Sequence, residues 1–176
     1  MKNVSLQRAL ALDLRSRRFG YVVFEGPRAI LDWGIRSYAN EEHASLERRL
    51  KNLQSMFAPS IMLVRKTSGS RRSSPPTSRP AFHILKRFAK RLVITMLLID
   101  ESKLRGFFYR GTKVNKHDIA QMIADRFPEL SWRLPPKRKP WESETTRQSI
   151  FDAASLGVFY FAQHTETPPN LTPKPR

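Results

Sequence analysis

Three apolar runs near the amino end of the chain are separated by connections too short to contain a helix. Residues 8–14, 19–26 and 29–38 are rich in β-branched and aromatic side chains, which is typical of strands. The second run ends at the Gly26-Pro27 turn, and the first connection is only a few residues long. Strands joined so tightly pair antiparallel, so this stretch predicts a three-stranded antiparallel meander.

After residue 38 the spacing of apolar residues alternates between the helical and the strand period. Strand–helix–strand connections make consecutive strands parallel. We therefore expect an α/β fold in which a mixed five-stranded sheet, with three antiparallel strands followed by parallel crossovers, has helices on both faces. The predicted elements are a helix with Leu46, Leu50, Leu53 and Phe57 on one face, a strand at 60–64, a helix with Phe82, Leu85, Phe88, Ala89 and Leu92 on one face, a strand at 92–99, a helix that Asn115 and Asp118 cap, and a last helix after Ser143.

Composition divides the chain into one folded region and two segments of loop character. Residues 1–164 are predicted to form a single domain, because 176 residues are enough for one sizeable core. Within it, residues 65–80 contain three prolines and five serines and are expected to form a basic, flexible loop. Residues 165–176 are proline-rich and predict a disordered tail.

The chain carries a formal net charge of +17, and its positive charge is unevenly distributed. No acidic residue lies between Glu47 and Asp100, an interval that contains twelve lysines or arginines. A solvated basic helix face together with a disordered loop is one interpretation. The other, which we prefer, is a surface for the phosphates of a nucleic acid, with DNA as the expected partner. A membrane surface ranks lower, and apolar runs such as 92–99 are too short to span a bilayer.

The absence of cysteine excludes disulfides and thiolate metal sites, and with them a small secreted protein held together by disulfides. The first ten residues lack the long apolar segment of a signal peptide, so we expect a cytoplasmic protein. His164 is expected to face solvent. Trp33, Trp132 and Trp141 either stack on bases or, as we prefer, pack in the core or on the surface.

Asp13 ends the first apolar run, and Arg15, Arg17 and Arg18 follow it within five residues. A carboxylate at the end of a buried strand is costly unless its charge is paired or bound to a metal. From these residues alone, Asp13 is either a salt-bridged acid in a turn or a metal ligand.

Two motifs and the element order point to a known family. The stretch DLRSRRFGY at 13–21 has the form D-x-x-S-R-x-x-G-Y, and FDAASLGVFYFAQH at 151–164 is a predicted helix with an early aspartate and a histidine at its end. With the element order over residues 8–164, these motifs resemble the RuvC-type Holliday junction resolvases of the ribonuclease H-like superfamily. The resemblance implies a nuclease of branched DNA, active in recombination and repair, that uses two Mg²⁺ or Mn²⁺ ions and works as a homodimer.

The resemblance also implies which acids hold the metal. Mg²⁺ prefers oxygen ligands, and a pair of such ions needs three or four carboxylates on adjacent elements. Asp13 on the central strand and Asp152 on the last helix carry over as catalytic residues and metal ligands. Without a metal, Asp13 is a salt-bridged loop acid and Asp152 lies on the polar face of its helix.

Two positions depart from the family's pattern. Arg65 or Lys66 stands where the fourth strand should end on a glutamate, and Ser155 stands three residues after Asp152, where a second aspartate is expected. An arginine cannot bind Mg²⁺. One hypothesis is that Arg65 forms a bidentate pair with the two remaining carboxylates, which would leave a fold that binds nucleic acid without cutting it.

If the site is active, another acid has to replace the missing one. Glu144 is the candidate third catalytic residue, although eight residues of helix before Asp152 would place it about 12 Å away along the axis. Asp100 and Glu101, at the end of the fifth strand, are the less favoured alternatives.

Two functions therefore follow from the sequence. One is a divalent-metal-dependent endonuclease of structured or branched DNA, and the other is a catalytically degenerate ribonuclease H-like module that binds nucleic acid. The sugar-kinase and actin type of ATPase shares the superfamily's fold but needs glycine-rich phosphate loops, and this chain has seven glycines and no such loop. The residues predicted to contact nucleic acid are Arg15, Arg17, Arg18, Arg65, Lys66, Arg71, Arg72, Lys137, Arg138 and Lys139.

Overall fold

The computed structural model describes residues 7–15, 17–38, 43–66, 78–109, 114–137, 139, 141 and 144–164. Most of the predicted loop at 65–80 and the whole predicted tail at 165–176 lie outside these ranges. The described strands are β1 (Arg8–Leu14), β2 (Arg18–Glu25), β3 (Ala29–Ser37), β4 (Ile61–Lys66) and β5 (Thr95–Asp100). The described helices are α1 (His43–Phe57), α2 (Ser78–Arg91), α3 (Glu101–Phe108), α4 (Lys116–Arg126) and α5 (Gln148–His164), with a 3₁₀ helix at Pro128–Arg133.

The strands form one sheet with the order β3-β2-β1-β4-β5. β1 pairs antiparallel with β2, as does β2 with β3, whereas β4 pairs parallel with both β1 and β5. The mixed five-stranded sheet predicted from the sequence is therefore confirmed. Because β1, β4 and β5 run in the same direction, their last residues lie at one edge of the sheet, which we call the carboxyl edge.

The side chains of β1 alternate between two hydrophobic cores, one on each face of the sheet. Ala9 and Ala11 face the core covered by α3, α4 and α5, whereas Leu10 and Leu12 face the core covered by α1 and α2. All four side chains are buried. This arrangement confirms the predicted helices on both faces, and the two small alanines let α5 pack directly on the central strand.

Two glycines set how closely α5 approaches β2. A Cβ atom at Gly20 would lie 2.3 Å from the backbone oxygen of Ser149, and one at Gly157 would lie 2.1 Å from the ring of Phe24. Carbon atoms in a packed interior do not approach so closely without displacing their neighbours. The glycine of the stretch at 13–21 is therefore required by the contact between strand and helix.

The predicted cap of α4 is confirmed. The side chain of Asn115 accepts the backbone N–H of Asp118 at 3.0 Å, and the Asp118 carboxylate accepts the backbone N–H of Asn115 at 3.0 Å. This reciprocal pair satisfies two groups that the start of a helix leaves without intrahelical partners.

Several element boundaries differ from the prediction. Strand β5 begins at Thr95 rather than at residue 92, because Leu92 and Val93 form a turn in which Val93 has φ 55° and is 90% exposed. The last helix begins at Gln148 rather than just after Ser143. Strand β4 extends to Lys66, two residues beyond its predicted end.

Two short elements were not predicted. Helix α3 buries only Leu104 and Phe108, which is too short an apolar pattern to indicate a helix, and the 3₁₀ helix buries only Leu130. Within the described ranges, no helix combines the length and the apolar character needed to cross a membrane.

Candidate active site

Asp13 lies at the carboxyl edge as the penultimate residue of β1, opposite Gly20 of β2, and is only 4% exposed. Its Oδ2 atom accepts hydrogen bonds from Nε of Arg15 and from Oγ of Ser149, both at 2.7 Å. Ser149 reaches the strand because α5 packs against Gly20. The buried carboxylate is therefore paired with a cation and a hydroxyl group.

Arg15 connects the central strand to the last helix. While its Nε binds Asp13, its Nη2 donates to Oδ2 of Asp152 at 2.8 Å. Asp152 is 6% exposed, and its Oδ1 accepts a further hydrogen bond from Nε2 of Gln148 at 3.1 Å. The carbonyl oxygen of Arg15 accepts the hydroxyl of Tyr38, which fixes the backbone at this position. One guanidinium group thus bridges the two buried carboxylates.

Glu144 belongs to the same cluster, although not through a helix. It precedes the first residue of α5, so the distance of about 12 Å expected along a helical axis does not apply. Its Oε1 accepts Nζ of Lys116 at 2.5 Å, and its Oε2 lies 3.7 Å from Nη2 of Arg15. Lys116 also lies 3.6 Å from Oδ2 of Asp152. The third predicted acid is therefore present and paired.

Arg65 does not occupy the bridging position that the sequence suggested. It lies at the end of β4, and its Nη2 approaches only Oδ1 of Asp152, at 3.7 Å. The bridging guanidinium belongs to Arg15, because the chain turns at this residue directly beside both carboxylates. Arg65 instead adds a further positive charge on the far side of Asp152.

The charges in this cluster shift the ionisation of its members. Burial raises the pKa of Asp13 above its usual value, and the negative charge of Asp152 raises it further, while Arg15 and Arg65 act in the opposite direction. Burial tends to lower the pKa of the Arg15 guanidinium, but the charge and hydrogen bond of Asp13 outweigh this effect and the pKa is raised. Arg15 thus keeps its charge, and it favours the ionised form of Asp13.

No protein-family model matches this chain, and no curated protein matches it. Several solved structures, by contrast, match its fold. Thermus thermophilus RuvC in complex with a Holliday junction substrate has a TM-score of 0.67 at 12% sequence identity, covering 90% of this chain and 95% of that one. The yeast mitochondrial Holliday junction resolvase Ydc2 has a TM-score of 0.59 at 13% identity, with coverages of 89% and 78%. Fowlpox virus resolvase, also in complex with Holliday junction DNA, has a TM-score of 0.53 at 13% identity, with coverages of 91% and 100%.

The chain has the fold of the RuvC-like Holliday junction resolvases. The resemblance found in the sequence and the predicted ribonuclease H-like architecture are both confirmed at the level of the fold. With identities of 12–13%, the likeness concerns the backbone, so the chemistry of this RuvC-like chain has to be argued from its own side chains.

The side chains of this site do not fit a pair of divalent metal ions. Across the described ranges, no group of three or more histidine, cysteine, aspartate or glutamate residues is arranged to hold a metal. Both buried carboxylates already accept hydrogen bonds from Arg15, and Arg65 and Lys116 lie within 4 Å of Asp152. Three cations beside the carboxylates repel a dication, so this donor set supports ion pairs rather than metal ligation.

Two residues of α5 that face the site were missed by the sequence analysis. Ser149, three residues before Asp152, contacts Asp13, and Gln148, four residues before, contacts Asp152. Ser155, three residues after Asp152, does not take the place of a site acid, because its hydroxyl donates to the backbone carbonyl of Asp152 within the helix. Residues three or four positions apart lie on the same face of a helix, so this spacing, applied before and after Asp152, would have identified Gln148, Ser149 and Ser155.

Lys116 was also missed, and it carried no local signal. It is the first residue of α4, and the fold brings it to Glu144 across 28 residues of sequence. Asp100 and Glu101, the alternative acids, form ion pairs with Lys66 at 3.7 Å and with Arg105 at 2.5 Å, respectively.

The remaining predicted contacts to nucleic acid are spread over the carboxyl edge and the segment before α5. Arg17, Lys137 and Lys139 are exposed, whereas Arg18, the first residue of β2, is half-buried. Lys66 ends β4 with a side chain that is 55% exposed. Arg71, Arg72 and Arg138 lie outside the described residues.

The tryptophans pack with cations. The rings of Trp33 and Trp132 meet edge to face at 5.4 Å, and the Arg133 guanidinium lies 4.0 Å from the centre of the Trp132 ring. Trp141 is 79% exposed, with Nζ of Lys139 5.8 Å from its centre. His164 is exposed, as predicted, and stacks on Tyr160.

Proposed function

We propose that this RuvC-like chain binds branched DNA at its carboxyl edge without cutting it, because Arg15 takes the structural place of a metal. The observation that carries the proposal is the bridge from Arg15 to Asp13 and Asp152. A guanidinium fork neutralises two carboxylates but supplies neither a Lewis acid nor an activated water. The chain thereby keeps the fold of a resolvase and loses the donor set for its chemistry.

The charge of the surface supports DNA as the partner. Helices α1 and α2 contain a single acid, Glu47, against seven exposed cations. A surface with this excess releases counterions when it meets a polyanion, which favours binding to nucleic acid. T. thermophilus RuvC and fowlpox virus resolvase are each seen with Holliday junction DNA, which supports branched DNA as the class of ligand. The exposed cations are Arg48, Arg49, Lys51, Lys86, Arg87, Lys90 and Arg91.

The metal-dependent endonuclease is the second candidate function. It is favoured by the positions of Asp13 and Asp152, which meet at the carboxyl edge as the resemblance implied, with Glu144 beside them. This function requires a third acid free of cations, and here Glu144 is paired with Lys116. The two candidates therefore differ in a single measurable property, which is whether a divalent metal binds to the wild-type site.

The first test compares a labelled four-way junction with a linear duplex of equal length, in EDTA and at two salt concentrations. We expect the junction to bind more tightly, and the affinity for both to fall as salt rises. Equal affinity for the two DNAs would overturn the proposal. The same titration gives the stoichiometry, for which we expect two chains per junction because the junction has two symmetric strands.

The second test adds Mg²⁺ or Mn²⁺ and measures both cleavage and the melting temperature. For the wild type we expect no cleavage and a change in melting temperature below about 1 °C, because a ligand that does not bind the folded state does not stabilise it. Removing the bridging cation in Arg15→Gln frees Asp13 and Asp152 from the guanidinium that they share, so we expect Mg²⁺ to bind between these two carboxylates and raise the melting temperature of this variant by about 2–4 °C.

Arg8→Gln is the matched control, because Arg8 pairs with Glu25 at the opposite end of β1. Its melting temperature should not respond to Mg²⁺. Cleavage by the wild type that is lost in Asp13→Asn would instead establish the nuclease. A gain of cleavage in Arg65→Glu would identify residue 65 as the position of the lost acid.

A further inference from the structure

One edge of the sheet presents tryptophan and arginine side chains together. Strand β3 is the outermost strand beside β2, and the 3₁₀ helix lies against it, because the rings of Trp33 and Trp132 meet edge to face at 5.4 Å. Arg133 ends the 3₁₀ helix, and Arg126 ends α4 just before it. We call this surface the β3 flank and define it by Arg28, Trp33, Arg126, Trp132 and Arg133. These residues belong neither to the carboxylate site nor to the basic surface of α1 and α2.

The ring of Trp132 is held in place and yet remains accessible. The guanidinium of Arg133 lies 4.0 Å from the centre of the Trp132 ring and 5.7 Å from the centre of the Trp33 ring. These contacts and the edge of Trp33 fix the orientation of Trp132, whereas 63% of its side chain is exposed. A ring that is already ordered loses little conformational entropy when a ligand binds. Trp132 is therefore suited to stacking on a nucleic-acid base.

The arginines of the β3 flank are not neutralised by the described residues. Arg126 donates Nη2 to the carbonyl of Pro27 at 2.6 Å, but its Nε and that of Arg133 are buried without an acceptor. Burial lowers the pKa of the Arg126 guanidinium, and the charge of Arg28 lowers it further. Glu129, the acid of the 3₁₀ helix, forms no ion pair with these arginines. Like charges held together without an acid favour an anion whose oxygens accept from them.

We propose that the β3 flank binds single-stranded DNA, with a base stacked on Trp132 and neighbouring phosphates on Arg126 and Arg133. An aromatic ring among cations suits a single strand, whose bases are accessible, better than a duplex, whose bases stack on one another. A lipid surface is matched less well, because the exposed large apolar side chains described in β3 and the 3₁₀ helix are Leu31 and Trp132 alone. The inference goes beyond the proposed function, since it concerns unpaired strands and a different surface.

The experiment compares an oligothymidylate of about 12 nucleotides with an abasic oligomer of the same length, in EDTA. Both strands carry the same phosphates, so the ratio of the two affinities isolates the contribution of the bases from binding by charge alone at other basic surfaces. We expect the wild-type chain to bind the thymidylate at least about five-fold more tightly, which is the lower end for stacking of one base. Equal affinity for the two strands would overturn the inference.

Two substitutions of Trp132 separate stacking from apolar contact. Trp132→Phe keeps an aromatic face, so we expect its ratio to stay above about three, whereas Trp132→Leu keeps only apolar area and its ratio should fall to about one. Because Trp132 is largely exposed, both variants should unfold within about 2 °C of the wild type. A ratio in Trp132→Leu as high as in Trp132→Phe would overturn the inference, since the contact would then be apolar rather than a stack.

Trp141→Leu is the matched control. Trp141 is 79% exposed and lies near Lys139 in the segment before α5, outside the β3 flank. Its removal should leave the ratio at the wild-type value. A loss equal to that in Trp132→Leu would overturn the assignment of the stacked base to the β3 flank.

The phosphate contacts are tested by salt. Arg126→Gln and Arg133→Gln should each make the slope of log affinity against log salt shallower by about 0.7, the value for one phosphate of a single strand. Arg8→Gln should leave the slope unchanged, because Arg8 is paired with Glu25. Unchanged slopes in both flank variants would overturn the proposed phosphate contacts.

Vesicles of phosphatidylserine and phosphatidylcholine test the lipid surface as the alternative ligand. We expect them not to displace the oligothymidylate. Displacement that is lost in Trp132→Leu would assign the β3 flank to a membrane and overturn the inference. A chain that shows the base-dependent ratio but binds a junction no more tightly than a duplex would support this inference and overturn the proposed function, so the two failures are distinguishable.

Discussion

The carboxylate site and the outer surface of α1 and α2 differ in how their charges are compensated. At the site, Asp13, Asp152 and Glu144 lie within 4 Å of Arg15, Arg65 or Lys116, so three acids meet three cations, and two of the acids, Asp13 and Asp152, are buried. Among the described side chains of the two helices, seven exposed cations lie with a single acid, Glu47, which pairs with Arg87 and Arg91. The charges of the first region compensate one another within the fold, whereas most cations of the second are left to solvent and its counterions.

This difference has an energetic consequence. Buried ion pairs are hardly screened by salt, and removing one member leaves a charge that the interior cannot solvate. Exposed cations are screened over about 8 Å at physiological salt, and each contributes little to the free energy of unfolding. Substitution should therefore change stability at the carboxylate site and DNA affinity on the helices.

The largest effect is expected from Arg15→Met. Removing the bridge takes the hydrogen-bonded cation from buried Asp13 and leaves Asp152 with only the more distant Arg65 and Lys116, which should lower the free energy of unfolding by about 3 kcal/mol at neutral pH. The pKa of Asp13 is already raised by burial and by Asp152, and losing Arg15 raises it further. A carboxylate whose pKa is raised in the folded state makes the fold less stable as the pH rises through that pKa, so the deficit should be smaller at acidic than at neutral pH. Urea denaturation at the two pH values measures both quantities.

Arg8→Met is the matched control at the other end of the same strand. Arg8 donates twice to Glu25 and once to the carbonyl of Phe57, and its side chain is 42% exposed. We expect a loss of about 1 kcal/mol. Equal losses in the two variants would show that the carboxylate site is no more tightly compensated than an ordinary surface pair.

A smaller effect on stability is expected from Gly20→Ala. The added methyl group would lie 2.3 Å from the backbone of Ser149, so α5 has to move away from β2 and the hydrogen bond from Ser149 to Asp13 is weakened. Overpacking of this kind costs about 1–3 kcal/mol. Thermal unfolding measures the loss, and Gly106→Ala, which adds the same methyl group in open space, is the control that should not lose stability.

The smallest effect on stability, but a clear one on binding, is expected on the helices. Replacing Lys86 and Lys90 with alanine should change the free energy of unfolding by less than about 0.5 kcal/mol. If these lysines contact phosphates, the slope of log affinity against log salt should become shallower by about one for each, equally for junction and duplex. An unchanged slope would show that the helical surface does not contact DNA, and that binding is confined to the carboxyl edge.

Much of the fold could be predicted because its signals are local. The alternation of strand and helix periods, the cap formed by Asn115 and Asp118, and the short connections of the meander all operate within a few residues. Helix α3 was missed because it buries only Leu104 and Phe108, and β5 was started too early because Leu92 and Val93 are apolar but lie in a turn. Local apolar character does not distinguish an exposed turn from the start of a strand.

The site was predictable only in part, because its contacts join distant segments. Asp13 and Asp152 carried motif signals, and Glu144 was identified as an acid with no reliable position. Nothing local indicated that Arg15 rather than Arg65 would form the bridge, since both are arginines near the end of a strand. The outcome depends on the turn after β1 and on the contact between α5 and Gly20, which the sequence does not display.

The bridge from Arg15 also determines when the site can exist during synthesis. Asp152 follows Arg15 by 137 residues, and Ser149 follows Asp13 by 136. At about 5–20 residues per second, a ribosome needs on the order of 10 s to add that length. Until α5 emerges, Asp13 lacks the hydrogen bond from the hydroxyl of Ser149. Ala9 and Ala11 of β1 are likewise not yet covered by this helix. Among the described elements, the carboxylate cluster is therefore one of the last parts to assemble, and a nascent chain that stops before α5 would expose one apolar face of its sheet to chaperones and proteases.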